Sequence, residues 1–276
     1  MMLKDRYLVT SLIIWFVATM ESIGGLYGFW SITGEEHSVI LLIESIVLIA
    51  LMVNCYAIKN WVYRHSAESS HRLLAWITLI ALALCLCGDV VNFNLPLTYY
   101  RYGGIVKHDY LADSVLFFAP GYTLFLVVAC SIALANGLKP KTLITSLAIA
   151  ALVGLVSFFS MHLTGTGAHV TIVTGIYAVL ITLVGMSGII LFVSLRKSYL
   201  RFYVWFVAGG LVLAAVADGV IGQFWIYGNN GEGFYPTAKY VNWSLYIGSQ
   251  CLVIHLARIS VWHENGAYKP VTKKTV

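Results

Sequence analysis

Two aspartates stand where a charge is costly. Asp89 lies in the stretch 82–94, Leu-Ala-Leu-Cys-Leu-Cys-Gly-Asp-Val-Val-Asn-Phe-Asn, and Asp218 in the stretch 211–223, Leu-Val-Leu-Ala-Ala-Val-Ala-Asp-Gly-Val-Ile-Gly-Gln. Superposed on their acids, the two share Leu, Leu, Asp and Val at equal positions. A carboxylate inside an apolar run long enough to cross a bilayer faces protein or water rather than lipid, and marks a functional site by default. Two carboxylates in one dry site repel, so one keeps its proton while the other ionises. That arrangement supplies a general acid and a general base without a metal. Glu21 and Glu44 are two further acids inside apolar runs.

The elements that must hold these acids follow from composition. Hydrophobic residues make up 59% of the 276, charged residues 11%, and the mean hydropathy is +0.83. Soluble domains carry roughly 25% charged residues, so the chain is expected to be an all-α, polytopic membrane helix bundle. A helical span needs about 20 mostly apolar residues. Eight stretches qualify: 8–30, 38–58, 73–95, 113–135, 143–162, 170–195, 202–224 and 240–260. They leave a single integral membrane domain over 1–276, with a tail from about 261 to 276. The matching Asp stretches on the third and seventh spans are also what a parallel four-plus-four internal repeat would give.

Lys and Arg set the orientation. Fourteen of the 17 fall at one end of these spans, and only Arg101, Lys107 and Lys239 at the other. Both termini are therefore expected in the cytoplasm. At about 1.5 Å of rise per residue, Asp89 and Asp218 each lie roughly 24 Å beyond the start of their span. Glu21 lies past the midplane of the first span, and Glu44 roughly 9 Å into the second. All four acids share the outer half, where one polar cavity would gather them. The inner halves look uniformly apolar.

Several neighbours fit such a cavity. Asn92 follows Asp89 by three residues, so the two share a helix face. Asp218 is framed by Ala214, Ala215, Ala217, Gly219 and Gly222, small residues that admit a close helix or a substrate chain. The loops after both Asp-bearing spans are rich in aromatic residues and Gly, and Arg101, Lys107 or Lys239 could meet a lipid phosphate there. His162, His169 and Asp113 fit no common metal spacing, and His255 with Arg258 reads as structural. Cys85 and Cys87, two apart on a helix, point to different faces. No Gly-x-Ser-x-Gly elbow, phosphate loop or Cys-x-x-Cys is present. No metal, no cofactor and no nucleic-acid partner is expected.

Three places resemble the YhhN and TMEM86 family of membrane lysoplasmalogenases. They are Gly88-Asp89-Val-Val, Phe117-Phe118-Ala-Pro-Gly-Tyr122, and Ala217-Asp218 followed by Tyr240 and Leu245-Tyr246-Ile-Gly-Ser-Gln250. One departure is Tyr122, which stands where the family usually carries a histidine. The resemblance implies eight spans and hydrolysis of the vinyl ether bond of a lysophospholipid, releasing a fatty aldehyde and a glycerophospho-alcohol. It implies Asp89 and Asp218 as catalytic residues. Glu21, Glu44, Asn92, Tyr122, Tyr240, Tyr246, Gln250, Arg101 and Lys239 then support the reaction or bind substrate. The bilayer is the other partner. Protonating a vinyl ether leaves an oxocarbenium-like cation, the species for which glycosidases employ two carboxyl groups. The rival expectation is a proton-coupled transporter of a small molecule or lipid, using the same buried acids. A bacterial inner membrane is expected, or the endoplasmic reticulum in a eukaryote.

Overall fold

A computed structural model describes residues 5–31, 36–95, 100–102, 105–107, 109–196, 201–234 and 236–264. The helices are α1 (Arg6–Leu26), α2 (His37–His65), α3 (Ser69–Asn92), α4 (Asp109–Ala135), α5 (Pro140–Met161), α6 (Ala168–Leu195), α7 (Arg201–Val220), α8 (Thr237–Val253) and α9 (Leu256–Glu264). Between α3 and α4 a short antiparallel hairpin pairs β1 (Tyr100–Tyr102) with β2 (Ile105–Lys107). Eight stretches are long and apolar enough to cross a membrane, the last being Thr237–Trp262, made of α8 and most of α9. The chain is therefore the polytopic helical bundle that its composition predicts.

Local signals explain the helix ends. Asp5 caps α1 by accepting from the backbone N–H groups of Tyr7 and Leu8. Pro140 opens α5, where its missing N–H costs nothing. The helix α2 runs to His65, seven residues past its expected end at 58. Those residues carry Asn60, Lys59 and Arg64, which lower the hydropathy without breaking the helix.

The helices α1, α2, α3, α4, α6, α7 and α8 pack in that cyclic order, and α8 returns to α1. The helix α5 sits outside, against α6. Only 17% of the core window of α5 is buried, against 83% for the last span. That last span has the lowest mean hydropathy of the eight, 1.2, and the most protein around it. The helix α9 turns inward and touches α2, α3, α4 and α7. The packing does not display the four-plus-four repeat: α5 is peripheral, whereas its counterpart α1 belongs to the ring.

Arg258 pairs with Asp5 at 2.8 Å, so α9 and the start of α1 share one end of the bundle, the Asp5 end. The opposite end is the Tyr27 end. Near the Asp5 end the expectation of a uniformly apolar half is overturned. Asn54 donates to the Ser11 hydroxyl at 3.0 Å, Ser11 meets His255 at 3.0 Å, and Arg258 donates to Tyr203 at 3.2 Å. All of these side chains are buried. Arg258 lies over the rings of Trp262 and Trp61 at 4.3 and 4.7 Å, a desolvated cation held by ring faces as well as by a carboxylate. Residues that are polar but paired leave only faint marks in a hydropathy profile.

Small residues set the helix spacing. A Cβ at Gly210 would lie 2.6 Å from Leu252 Cβ and 3.1 Å from the Ser249 carbonyl, whereas one at Gly209 would meet nothing. Gly210→Ala should therefore force α7 from α8 and cost about 1–3 kcal/mol. Gly209→Ala should be neutral or gain up to about 1 kcal/mol from helix propensity. Thermal unfolding of the two variants in detergent checks the contrast.

Candidate active site

The buried acids converge at the Tyr27 end. Glu44, Asp89 and Asp218 line one small chamber, together with Asn92, Phe118, Lys239, Asn242, Trp243 and Tyr246. Its volume is about 30 Å³, room for one or two water molecules. Exposure of the four acids is 1% for Glu44, 4% for Glu21 and Asp89, and 9% for Asp218. Each therefore needs partners from the protein.

Those partners come mostly from α8. Tyr246 donates to Asp89 Oδ2 at 2.6 Å. Trp243 donates to Glu21 Oε2 at 2.9 Å, which puts Glu21 behind the chamber wall. Lys239 pairs with Glu44 at 3.0 Å. Asn242 donates to the Ala217 carbonyl at 2.8 Å and ties α8 to the residue before Asp218. Gln250 donates to the Tyr122 hydroxyl at 3.1 Å. The hydroxyls of Tyr122 and Tyr177 flank the Asp218 carboxyl. The Tyr177 hydroxyl and Asp218 Oδ2 are buried, yet neither meets a hydrogen-bond partner in good geometry.

Asp218 also belongs to a second space. A cavity of about 410 Å³ runs between α4, α5, α6 and α7, lined by Tyr177, Ile181, Ala215, Gly219, Gly222 and Val153 among others. Phe118 and Ile221 border both spaces as well. Asp218 thus lines both a pocket of water size, shared with Glu44, Asp89, Lys239 and Asn242, and a larger one within the roughly 300–1,000 Å³ range of small-molecule sites. Just beyond it α7 widens into a π-helical turn, Ile221–Ile226, where the Tyr227 N–H bonds to the Gly222 carbonyl. Such turns recur at functional sites. Here it places Trp225 on the chamber and Gln223, Ile226 and Tyr227 on the cavity.

The expected site residues divide accordingly. Asp89, Asp218, Glu44, Asn92, Lys239 and Tyr246 come together, with Glu21, Tyr122 and Gln250 one layer behind. Tyr240 does not join them: its ring fills the space over Gly25 and packs with Ile40 and Trp30. Lys239 turns to Glu44 instead of standing on a rim. The side chains of Arg101 and Lys107 lie outside the described residues. His169 pairs with Asp113 at 3.1 Å on the surface, and His162 bonds to Thr171 at 3.1 Å. Among the described residues, no three of His, Cys, Asp and Glu gather as a metal site would require. Cys85 is buried and Cys87 exposed, as their spacing requires.

Sequence reasoning passed over Tyr177, Asn242 and Trp243. The signal for Asn242 was available, because Asn242, Tyr246 and Gln250 recur at four-residue steps on one helix face. Tyr177 announces itself only as a phenol in an otherwise apolar span, a residue that usually finds a polar partner when buried.

No protein-family model, no curated protein and no solved structure matches this chain.

The Lys239–Glu44 pair yields a stability test. Removing one partner of a buried ion pair costs about 3–5 kcal/mol, while replacing both can be nearly neutral. Lys239→Met should lower the unfolding temperature strongly, and Lys239→Met with Glu44→Gln should recover most of the loss. Equal melting of the single variant and the native protein would show that Glu44 needs no counter-charge.

Proposed function

We propose that the chain is a membrane hydrolase that cleaves the vinyl ether bond of a lysoplasmalogen, releasing a fatty aldehyde and a glycerophospho-alcohol. The observation that carries this reading is that Asp218 lines both a water-sized chamber, which it shares with Asp89 and Glu44, and a larger, mostly apolar cavity. A vinyl ether has an oxygen at the head of a hydrocarbon chain, and its hydrolysis needs one proton delivered to carbon and one water. The resemblance to the YhhN and TMEM86 lysoplasmalogenases supports the same chemistry.

The two acids divide the work. Asp218, which borders the cavity, gives its proton to the vinyl carbon once removed from the ether oxygen, leaving an oxocarbenium-like cation. Asp89, which borders only the chamber and receives the Tyr246 hydroxyl, accepts a proton as water adds to that cation. The resulting hemiacetal breaks its carbon–oxygen bond to the glycerol. Its hydroxyl proton leaves as the aldehyde forms, and the departing oxygen takes up a proton. The proton held by Asp89 returns to Asp218 through the chamber, so one water is consumed and both acids are restored.

Asp89→Asn and Asp218→Asn are nearly isosteric and should fold, yet lose about 10²–10⁴-fold in turnover. Glu21→Gln and Glu44→Gln should lose less. The native rate should follow a bell-shaped pH profile belonging to the coupled pair rather than to either acid. The measurement is aldehyde release by purified protein in detergent. Two well-folded Asn variants that each keep more than about a tenth of the native rate would remove the acid–base assignment.

One observation favours the second reading, a proton-coupled carrier. Buried polar groups occur toward both ends of the last span, Tyr246 and Gln250 on one side and His255 and Arg258 on the other. Aldehyde formation in detergent, where no gradient exists, separates an enzyme from a carrier.

For topology we propose that the Asp5 end is cytoplasmic, because the order of the spans assigns fourteen of the 17 Lys and Arg to that end. The membrane is a bacterial inner membrane, or the endoplasmic reticulum in a eukaryote. With the five native cysteines replaced, Tyr27→Cys should react with an impermeant maleimide from outside intact bacterial cells, and Arg64→Cys only after lysis. The opposite pattern would invert the assignment.

A further inference from the structure

A buried cation without a carboxylate lies toward the Asp5 end, between α2 and α3. Lys59 is only 8% exposed, and lysines are rarely so buried unless paired. Its Nζ stands 4.3 Å from the ring centre of Tyr56, 4.4 Å from that of Trp76 and 5.5 Å from that of Tyr63. Tyr56, Lys59 and Tyr63 follow one another at three and four residues, so they share a face of α2. Trp76 comes from α3, and its indole donates to the Tyr63 hydroxyl at 2.6 Å, joining the cage across the two helices. Arg72, one turn before Trp76, lays its guanidinium over the same Tyr63 ring at 5.1 Å. Its Nε donates to the Ser66 carbonyl at 3.1 Å.

Ring faces attract an ammonium, but its three N–H groups call for oxygen acceptors. Among the described residues, the rings are the partners that Lys59 has. The acids at this end are engaged elsewhere. Asp5 pairs with Arg258 at 2.8 Å, and Glu68 lies 3.7 Å from His71 and accepts from Ser70 at 3.2 Å. From 59 to 76, Glu68 is the one acid in the sequence, against Lys59, Arg64 and Arg72.

The depth suits a head group. The 29 residues of α2 make a helix of about 43 Å, which overruns a hydrocarbon core of about 30 Å. Lys59 lies about 9 Å before the end of α2, close to where that core gives way to head groups. Toward the middle of the bundle the same two helices expose Ile49, Val53 and Ile80. Trp76 and Tyr56 are themselves about half exposed.

We propose that Lys59 and Arg72 form a binding site for the phosphate of an anionic phospholipid in the leaflet at the Asp5 end. The phosphate oxygens accept from the Lys59 ammonium and from the outer nitrogens of the Arg72 guanidinium. The rings hold both cations in place without neutralising them. The lipid chains lie along the apolar flank of α2 and α3. A zwitterionic lipid brings an ammonium of its own, which Lys59, Arg64 and Arg72 repel. The aromatic cage that would take such an ammonium is already filled by Lys59. The site lies toward the opposite end of the bundle from the buried acids and does not depend on the hydrolase reading.

The test titrates the full-length protein in detergent with phosphatidylglycerol and, separately, with phosphatidylcholine of the same chains, and counts bound lipid by native mass spectrometry. One phosphatidylglycerol should bind at least about ten-fold more tightly than phosphatidylcholine, and Lys59→Met should weaken it by at least about ten-fold, the loss of a charge-assisted hydrogen bond. Arg72→Gln, at a partly exposed residue, should weaken it as well, and reads the site even where the Met variant fails to fold. Lys141→Gln removes an exposed cation from the same end of the bundle, on α5, and should leave binding unchanged. Equal binding of the two lipids would overturn the proposal. So would native affinity in folded Lys59→Met or Arg72→Gln protein, or an equal loss in Lys141→Gln, which would mark diffuse charge instead of a site. Displacement of the lipid by inorganic phosphate would show a site for the free anion and remove the lipid from the proposal.

Discussion

The last span is the most enclosed by protein of the eight, so its polar side chains must find most of their partners within the chain. In a medium without water each unpaired polar group costs several kcal/mol, and the chain must answer it internally. Lys239 is met by α2, Trp243 and Ser244 by α1, Tyr246 by α3, Gln250 by α4 and Asn242 by α7. Farther along, His255 and Arg258 are met by Ser11 and Asp5 at the start of the chain. Each bond fixes the rotation of one other helix relative to this last span. The bundle is arranged around what α8 and α9 require, and close glycine contacts such as Gly210 on Leu252 set the distances at which those bonds can form.

The same arrangement separates two environments across one helix end. On one side of Asp218 the lining groups include carboxyl, amide, ammonium, indole and phenol; on the other they are mostly methyl and methylene groups, with hydroxyls such as Ser114, Thr174 and Tyr177 and the amide of Gln223 among them. The π-helical turn after Asp218 contributes to both spaces. Within it Trp225 lines the chamber and its neighbour Ile226 the cavity. Phe118 seals the boundary from α4, seated over Gly88, where a Cβ would come within 2.7 Å of its ring.

The number and course of the spans were legible in the sequence because transfer into hydrocarbon is a sum over residues, and twenty apolar ones outweigh a single acid. The gathering of Asp89, Asp218 and Glu44 was legible from depth alone, since helices of known rise bring equal offsets to one level. Rotation about each helix axis was harder to read. Tyr240 and Tyr246 differ by six residues, about 600° of helical turn, or two faces some 120° apart. One therefore meets Asp89 while the other fills the space over Gly25. Nor did composition reveal the network of Asn54, Ser11, His255 and Arg258, because a few paired polar residues scarcely change a hydropathy average. The π-turn had no signal, as its sequence would suit an ordinary helix equally well.

Two of the eight tryptophans, Trp225 and Trp243, form part of the chamber wall. The indole of Trp243 is bonded to Glu21, and its ring stands 6.3 Å from that of Tyr246, the phenol that holds Asp89. Indole emission shifts with the charge and hydration of its surroundings. With the other six tryptophans replaced, these two indoles would make an optical reporter of the chamber's filling and charge without any attached dye.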